Sequence, residues 1–311
     1  MNKSKILDKR ESLRVVTSNE FITMSGLSRL SLNARKLLYI AISQCKKDDA
    51  EFYEYKTTPK ELAEIWGVDR SNVYRAADEI TEELMSLSWR RGNDVEKRFS
   101  KRHVFETCDY DDNSKLVFKL HSDMTELLLG LKKDFSKPLI WDFMKMRSPY
   151  SMAIWHLMQR EMKSFKPMTT KPISFDLTLE ELRRVTGTES KLKQISEFKN
   201  RVLNKALKEI KEKCFVNIAY ENIKKGKVVT GFWFTAESVF GTFDVNEMPY
   251  RMQKHIRKAQ LINKKSEGNI TKQEEQELET LKKDLEQMTL EDVEGGYLDK
   301  ENDFDQFISN H

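Results

Sequence analysis

The ten residues TPKELAEIWG, Thr58 to Gly67, return 120 positions later as TLEELRRVTG, Thr178 to Gly187, and this repeat constrains the fold more than any other feature. The pairs Thr58/Thr178, Glu61/Glu181, Leu62/Leu182, Ile65/Val185 and Gly67/Gly187 keep the frame. In each copy a threonine able to cap a helix stands three residues before a glutamate able to return a hydrogen bond, and a glycine closes the helix. Such punctuation is common, so the repeat carries weight only where the surroundings match as well.

They match in order. Ahead of the first copy, Leu32–Cys45 sets Leu37, Leu38, Ile40, Ala41 and Ile42 on a broad apolar helical face, and FYEYKT from Phe52 reads as a short strand. After it come a turn at Gly67-Val68-Asp69 and a longer helix, SNVYRAADEITEELMSL, apolar at Val73, Ala76 or Ala77, Ile80, Leu84 and Leu87. A hairpin with the basic tip RRGNDVEKRFSKRH follows, with returning strands near Val104–Cys108 and Lys115–Leu120. Around the second copy, Ser151–Met162 is helical with Ile154, Leu157, Met158 and Met162 on one side, PISFDLT is the short strand, and Lys193–Lys213 is the long helix. CFVNIAYENI, a KKGK turn and VVTGFWFTA close the unit as a hairpin.

The predicted fold is therefore mostly α with short β wings (α+β): two tandem winged helix-turn-helix domains related by an internal repeat, plus a helical, acidic C-terminal tail. The expected boundaries are 1–12 for a flexible N-terminus, 13–135 for the first domain and 136–240 for the second. Residues 241–311 form the tail, a basic helix (Arg251–Lys265) and then an acidic, partly disordered segment.

Charge sharpens this reading. Residues 271–311 hold thirteen Asp or Glu against four lysines, so the net +4 of the chain divides into −9 there and +13 over residues 1–270. A basic body suggests a polyanionic partner. No apolar run approaches the roughly 20 residues of a membrane helix, and the opening MNKSKILDKRES is too polar for a secretory signal. Three scattered cysteines, Cys45, Cys108 and Cys214, suit a reducing cytoplasm better than a disulfide frame or zinc site.

In a helix-turn-helix the second helix presents its exposed residues to base edges in the major groove. From Lys191 to Lys213 the second long helix carries eight Lys or Arg against Glu197, Glu209 and Glu212. On a helical projection Lys193, Ser196, Glu197, Asn200, Arg201 and Asn204 lie away from its Phe198/Val202/Ala206/Ile210 stripe. Arginine reads guanine bidentately and asparagine reads adenine, whereas lysine suits phosphate. Lys224, Lys225 and Lys227 place further cations at the second wing. The first domain offers Arg70, Ser71, Asn72 and Arg75 at the start of its helix, and Arg90, Arg91, Lys97, Arg98, Lys101 and Arg102 in its hairpin. Because Asp78, Glu79, Glu82 and Glu83 follow, base reading falls chiefly to the second domain. Trp66, Trp89, Trp155 and Trp233 sit in apolar patterns and are expected in the core.

Catalytic readings find no support. The five histidines, His103, His121, His156, His255 and His311, are isolated, and Gly226-Lys227 is followed by valine in a hairpin tip, so it is no phosphate loop. No metal or other cofactor is expected, and the chain is read as a binding protein.

The order of elements, with VVTSNEFI and LSLNARKLLYIAISQ ahead and LTLEELRRVTG, EFKNRVLNKALKEIKEK and VNIAYENIKKGKVVTGFWF behind, resembles the initiator Rep proteins of iteron-containing plasmids over roughly Leu13–Glu237. The resemblance implies a plasmid replication initiator whose second winged helix grips repeated origin DNA in the major groove, with Lys193, Lys199, Asn200, Arg201 and Lys205 as the reading set. It implies auxiliary contacts from the first domain, which would also form the interface of a homodimer in equilibrium with monomer. It further implies a host initiator ATPase (DnaA-type) and replicative helicase as partners. Two alternatives stand beside it: a dimeric transcriptional repressor, of its own gene among others, and a winged-helix scaffold that binds no DNA.

Overall fold

The computed structural model describes residues 14–46, 49–93, 97–110, 115–162, 172–238 and 268–294, with short pieces between 253 and 265. The expected flexible N-terminus (1–12) and residues 295–311 of the tail lie outside the described residues, as do seven of the fifteen residues of the expected basic helix; the other eight are helical. Two units emerge, one of residues 14–241 and one joining residues 1–13 to 242–311.

The larger unit contains both repeats. A short strand β1 (Thr17–Ser18) leads, through a helical turn at Asn19–Ile22, to α1 (Leu32–Ser43), capped by Ser31. Then come β2 (Glu54–Thr57), α2 (Pro59–Trp66) and α3 (Val73–Ser86). Four strands follow, β3 (Ser88–Asn93), β4 (Arg98–His103), β5 (Phe105–Tyr110) and β6 (Leu116–Leu120). β7 (Phe135–Ser136) pairs back onto β1, and α4 (Ile140–Met144) precedes α5 (Pro149–Glu161). The second repeat runs through β8 (Ile173–Thr178), α6 (Leu179–Thr186) and α7 (Ile195–Phe198), a π-helical turn at Lys199–Leu203, and α8 (Asn204–Cys214). It ends in the hairpin of β9 (Val216–Lys225) and β10 (Val228–Ser238).

Both capping boxes form. Glu61 N donates to Thr58 Oγ1 and Thr58 N to Glu61 Oε2; Thr178 and Glu181 repeat the exchange. Gly67 and Gly187 end α2 and α6 at φ 67° and 63°, a left-handed geometry that costs a residue with a Cβ roughly 1–2 kcal/mol. The three-stranded sheets also share one topology, β2-β6-β5 in the first repeat and β8-β10-β9 in the second, all antiparallel.

That correspondence corrects the expected first wing. The structural counterpart of the β9–β10 wing is β5–β6, joined through the sequence Asp111-Asp112-Asn113-Ser114. The basic stretch 90–103 instead makes the separate two-stranded β3–β4 hairpin, inserted between α3 and β5. Sequence could not reveal this, because both hairpins alternate plausibly and only the long-range pairing of β6 with β2 decides which one joins the sheet.

α5 departs from its expected one-sided face as well: Ser151 through Met158 are all buried. It packs against α6 and α8 and also meets α1-side residues, since His156 sits between Thr17 and Tyr39. A helix enclosed on all sides loses its amphipathic signature. Its large apolar side chains each contribute roughly 1.5–3 kcal/mol before entropic costs. His156 Nε2 is 2.9 Å from Thr17 Oγ1 and Nδ1 is 2.8 Å from Tyr39 Oη; burial lowers its pKa to about 3, so the ring stays neutral. Trp66, Trp89 and Trp155 are buried, but Trp233 is 47% exposed. Strand alternation explains it: Phe232 and Phe234 take the inner face of β10, and Trp233 points outward.

In the other unit, α9 (Lys272–Glu294) starts with a third capping box, in which Glu274 N donates to Thr271 Oγ1 and Thr271 N to Glu274 Oε2. Basic residues pair with it in reverse order: Lys254–Asp284 at 2.6 Å, Arg257–Glu277 at 2.8 Å and Lys264–Glu274 at 2.5 Å. Leu261 and Leu278 are buried alongside, so part of the acidic tail is held by the basic segment before it. No helix of the described residues is long and apolar enough to cross a membrane.

Candidate nucleic-acid interface

The long helix of the second repeat is one rod in three parts, α7, the π-helical turn and α8. Phe198, Val202, Leu203, Ala206, Leu207, Ile210 and Cys214 are buried, which turns the remaining positions outward. Asn200, Arg201, Asn204, Lys205 and Lys208 are exposed, as is Lys193 just before the rod. The π turn inserts an extra residue per turn across Lys199–Leu203 and so re-aims the side chains that the sequence singled out, a device frequent at functional sites. Periodicity alone gave no sign of it.

Lys199 differs from its neighbours. It is half-buried, its Nζ donates to Asn222 Oδ1 at 3.2 Å, and it lies over the rings of Tyr220 and Phe232 at 5.1 and 5.9 Å. Tyr220 Oη donates to Asn204 Oδ1 at 2.7 Å, and Asn204 Nδ2 reaches Asn200 Oδ1 at 3.4 Å. Burial raises the Tyr220 pKa, which keeps the phenol a donor. This polar chain ties the reading rod to the wing strand β9 and orients Asn200. Lys199 thus braces the rod against the wing, a role its place in the sequence did not suggest.

The turn before the rod has its own clamp, which sequence reading missed. The Arg183 guanidinium donates to the carbonyls of Thr188, Lys191, Leu192 and Lys193 at 2.9, 3.0, 2.9 and 3.2 Å, and its Cζ lies 5.0 Å from the Phe198 ring centre. Leu192 there adopts φ 49°, strained for a side chain with a Cβ. The equivalent position in the first repeat is Ala63. A signal did exist, an arginine breaking the repeat's identity, but a side chain that wraps backbone ten residues ahead leaves no periodic trace. α6 is further fixed to α5 by Arg160, which donates to Glu181 Oε1 at 2.8 Å.

The wing tip is a two-residue turn, Gly226-Lys227, with glycine first at φ 63°, as tight hairpins prefer. Lys224, Lys225 and Lys227 are all exposed on it. In the first repeat Arg70, Ser71 and Asn72 form the short 3-10 turn between α2 and α3, and Arg75 stands on the first turn of α3; all four are exposed. Exposed Tyr74 meets Tyr110 of β5 edge-on at 5.4 Å, so helix and wing touch in this repeat too. Arg98, Lys101 and Arg102 are exposed on β4, in the separate β3–β4 hairpin rather than in a wing; Arg102 pairs with Asp123 at 3.1 Å. The predicted residues therefore form three groups: rod with second wing, first-repeat turn, and inserted hairpin. Among the described residues no group of three or more His, Cys, Asp or Glu could hold a metal ion.

Tandem winged helices, the second with a cationic reading rod, define a protein of the DNA-binding winged-helix class. Comparison with known proteins narrows it. Residues 14–159 match the family model described as initiator replication protein, WH1, and residues 178–236 match that of the initiator Rep protein, WH2. The chain belongs to the initiator replication protein family. A curated relative, the PI protein of Escherichia coli, is 26% identical over 242 residues, which span 67% of this chain and 78% of that protein. A solved structure, described as Pi initiator protein in complex with iteron DNA, superposes with a TM-score of 0.62 at 22% identity, covering 73% of this chain and 98% of that one. The WH1 match runs to residue 159 and so takes in most of α5, the helix that also opens the second repeat.

Proposed function

We propose that this initiator binds directly repeated origin DNA, iterons, of a plasmid and reads each repeat chiefly with the second winged helix. One observation carries the reading: Asn200, Arg201, Lys205 and Lys208 stand exposed on a rod whose opposite face is buried, beside a wing tip of exposed lysines. Arg201 and Asn200 supply base-edge contacts; Lys193, Lys205, Lys224, Lys225 and Lys227 supply phosphate contacts that set register. The family match and the likeness to an iteron-bound Pi structure support iteron binding as the function. The first repeat, with Arg70, Ser71, Asn72 and Arg75, adds contacts outside that reading set, and it supplies the dimer interface. Host initiator ATPase and helicase act downstream of the bound array.

The test is protection of DNA flanking the gene. The proposal expects a ladder of protected direct repeats spaced by about one or two helical turns. Protection of a lone inverted repeat would favour a repressor instead, and no retention of any flanking duplex at low salt would overturn DNA binding altogether.

A further inference from the structure

Beside the rod runs an open cleft of about 500 Å³, walled on one side by Arg201, Lys205, Lys208 and Lys213 and on the other by Arg147, Ser148 and Tyr150 from the start of α5. Glu209 and Glu212 also line it. Glu209 is engaged inward, since its Oε1 accepts the Arg147 backbone N–H at 2.6 Å and its charge faces the buried Lys36 ammonium. Five cations against two carboxylates leave the cleft positive. Arg147 and Tyr150 are exposed into it, Tyr150 at 37%. The first amides of α5 are already taken, because Ser148 Oγ accepts from Tyr150 N and Ser151 N. Whatever binds here is held by side chains rather than by the helix end.

We propose that this cleft holds the sugar-phosphate strand bordering the groove that the rod enters, with Arg147 and Tyr150 as phosphate contacts opposite Lys205 and Lys208. This deepens the proposed reading and rests on it. The cleft is open and carries cations on both walls, which suits a phosphodiester strand passing between them. A guanidinium on one wall and ammonium groups on the other match a strand of evenly spaced anions. The contact also recruits the helix that joins the two repeats, so α5 both supports the rod and touches its ligand.

The experiment compares full-length wild type with Arg147→Ala, Arg147→Lys and Arg201→Ala by fluorescence anisotropy, on a duplex carrying the repeats and on a scrambled duplex, over a range of salt. Arg147→Ala is expected to weaken both duplexes equally, by about 5- to 10-fold at 0.1 M salt, and to flatten the salt slope by about 0.9 unit, one phosphate's worth. Arg147→Lys should keep most of that slope. If Arg147→Ala leaves affinity and slope unchanged while Arg201→Ala weakens the repeats, the cleft is not a strand site and the reading of the rod survives. If neither variant changes binding, the reading itself falls. Should Arg147→Ala fail to fold, Lys208→Ala on the facing wall carries the same expectation and the same refutation.

Discussion

Truncating Arg183 isolates the device that presents the reading rod. Its guanidinium reaches four carbonyls, of which those of Thr188 and Leu192 are part-buried and those of Lys191 and Lys193 exposed. Hydrogen bonds to a charged group are worth about 1.5–3 kcal/mol when shielded, and water replaces most of that at exposed acceptors. Two part-buried bonds, two weak ones and a partly exposed cation–π contact to Phe198, itself about 0.5–1 kcal/mol, together come to about 3 kcal/mol. Arg183→Ala should therefore lower the midpoint of urea unfolding by the equivalent of about 3 kcal/mol without changing its slope. At temperatures where the variant is folded, the loop from Thr188 to Lys193 loses its anchor, so the variant should bind repeat DNA more weakly while non-specific binding and its salt slope change little. A midpoint shifted by less than about 0.5 kcal/mol would refute the reasoning, because the loop would then be held by something else.

Two further predictions separate other causes. Gly67→Ala and Gly187→Ala both force a left-handed residue to carry a Cβ, costing roughly 1–2 kcal/mol each. At Gly67 that Cβ meets nothing within 4 Å, whereas at Gly187 it comes within 3.0 Å of Ser28 Cβ and 3.3 Å of its carbonyl oxygen. Unfolding titrations should show Gly187→Ala as the costlier by about 1–3 kcal/mol, and equal losses would deny the contact between the repeats. The tail predicts a pH effect. The Lys264 ammonium holds Glu274 down to about 2, and Arg257 lowers Glu277. Depressed carboxylates support the pairing above their unfolded pKa, near 4.3, and that support is lost as pH falls toward 2. Carboxyl-carbon NMR titration should find Glu274 near 2 with amide protection of α9 fading over the same window; an ordinary glutamate value would refute the pairing.

Much of the architecture was legible because its signals are local. Thr58/Glu61 and Thr178/Glu181 cap helices through neighbours three residues away, and glycine closes them by its own backbone freedom. The stripe of Phe198, Val202, Ala206 and Ile210 told which way the rod faces. Features made by distant pairing stayed hidden. The basic 90–103 hairpin has the sequence of a wing, and only the pairing of β6 with β2 identifies the true one; α5 conceals its burial because both repeats enclose it. Within the site, the π turn, the Lys199–Asn222 brace and the Arg183 clamp are three-dimensional facts about residues whose types alone suggested only solvated charge.

Methylation interference at guanine N7 tests the central claim most directly, since N7 lies in the major groove and is one of the two acceptors arginine reads. With repeat DNA and wild-type protein, the account predicts a guanine in every repeat whose methylation blocks binding, and predicts that this interference disappears with Arg201→Ala along with about 1–3 kcal/mol of discrimination against scrambled duplex. An interference pattern identical in the two proteins, or none in the major groove, would contradict a rod that reads bases through Arg201.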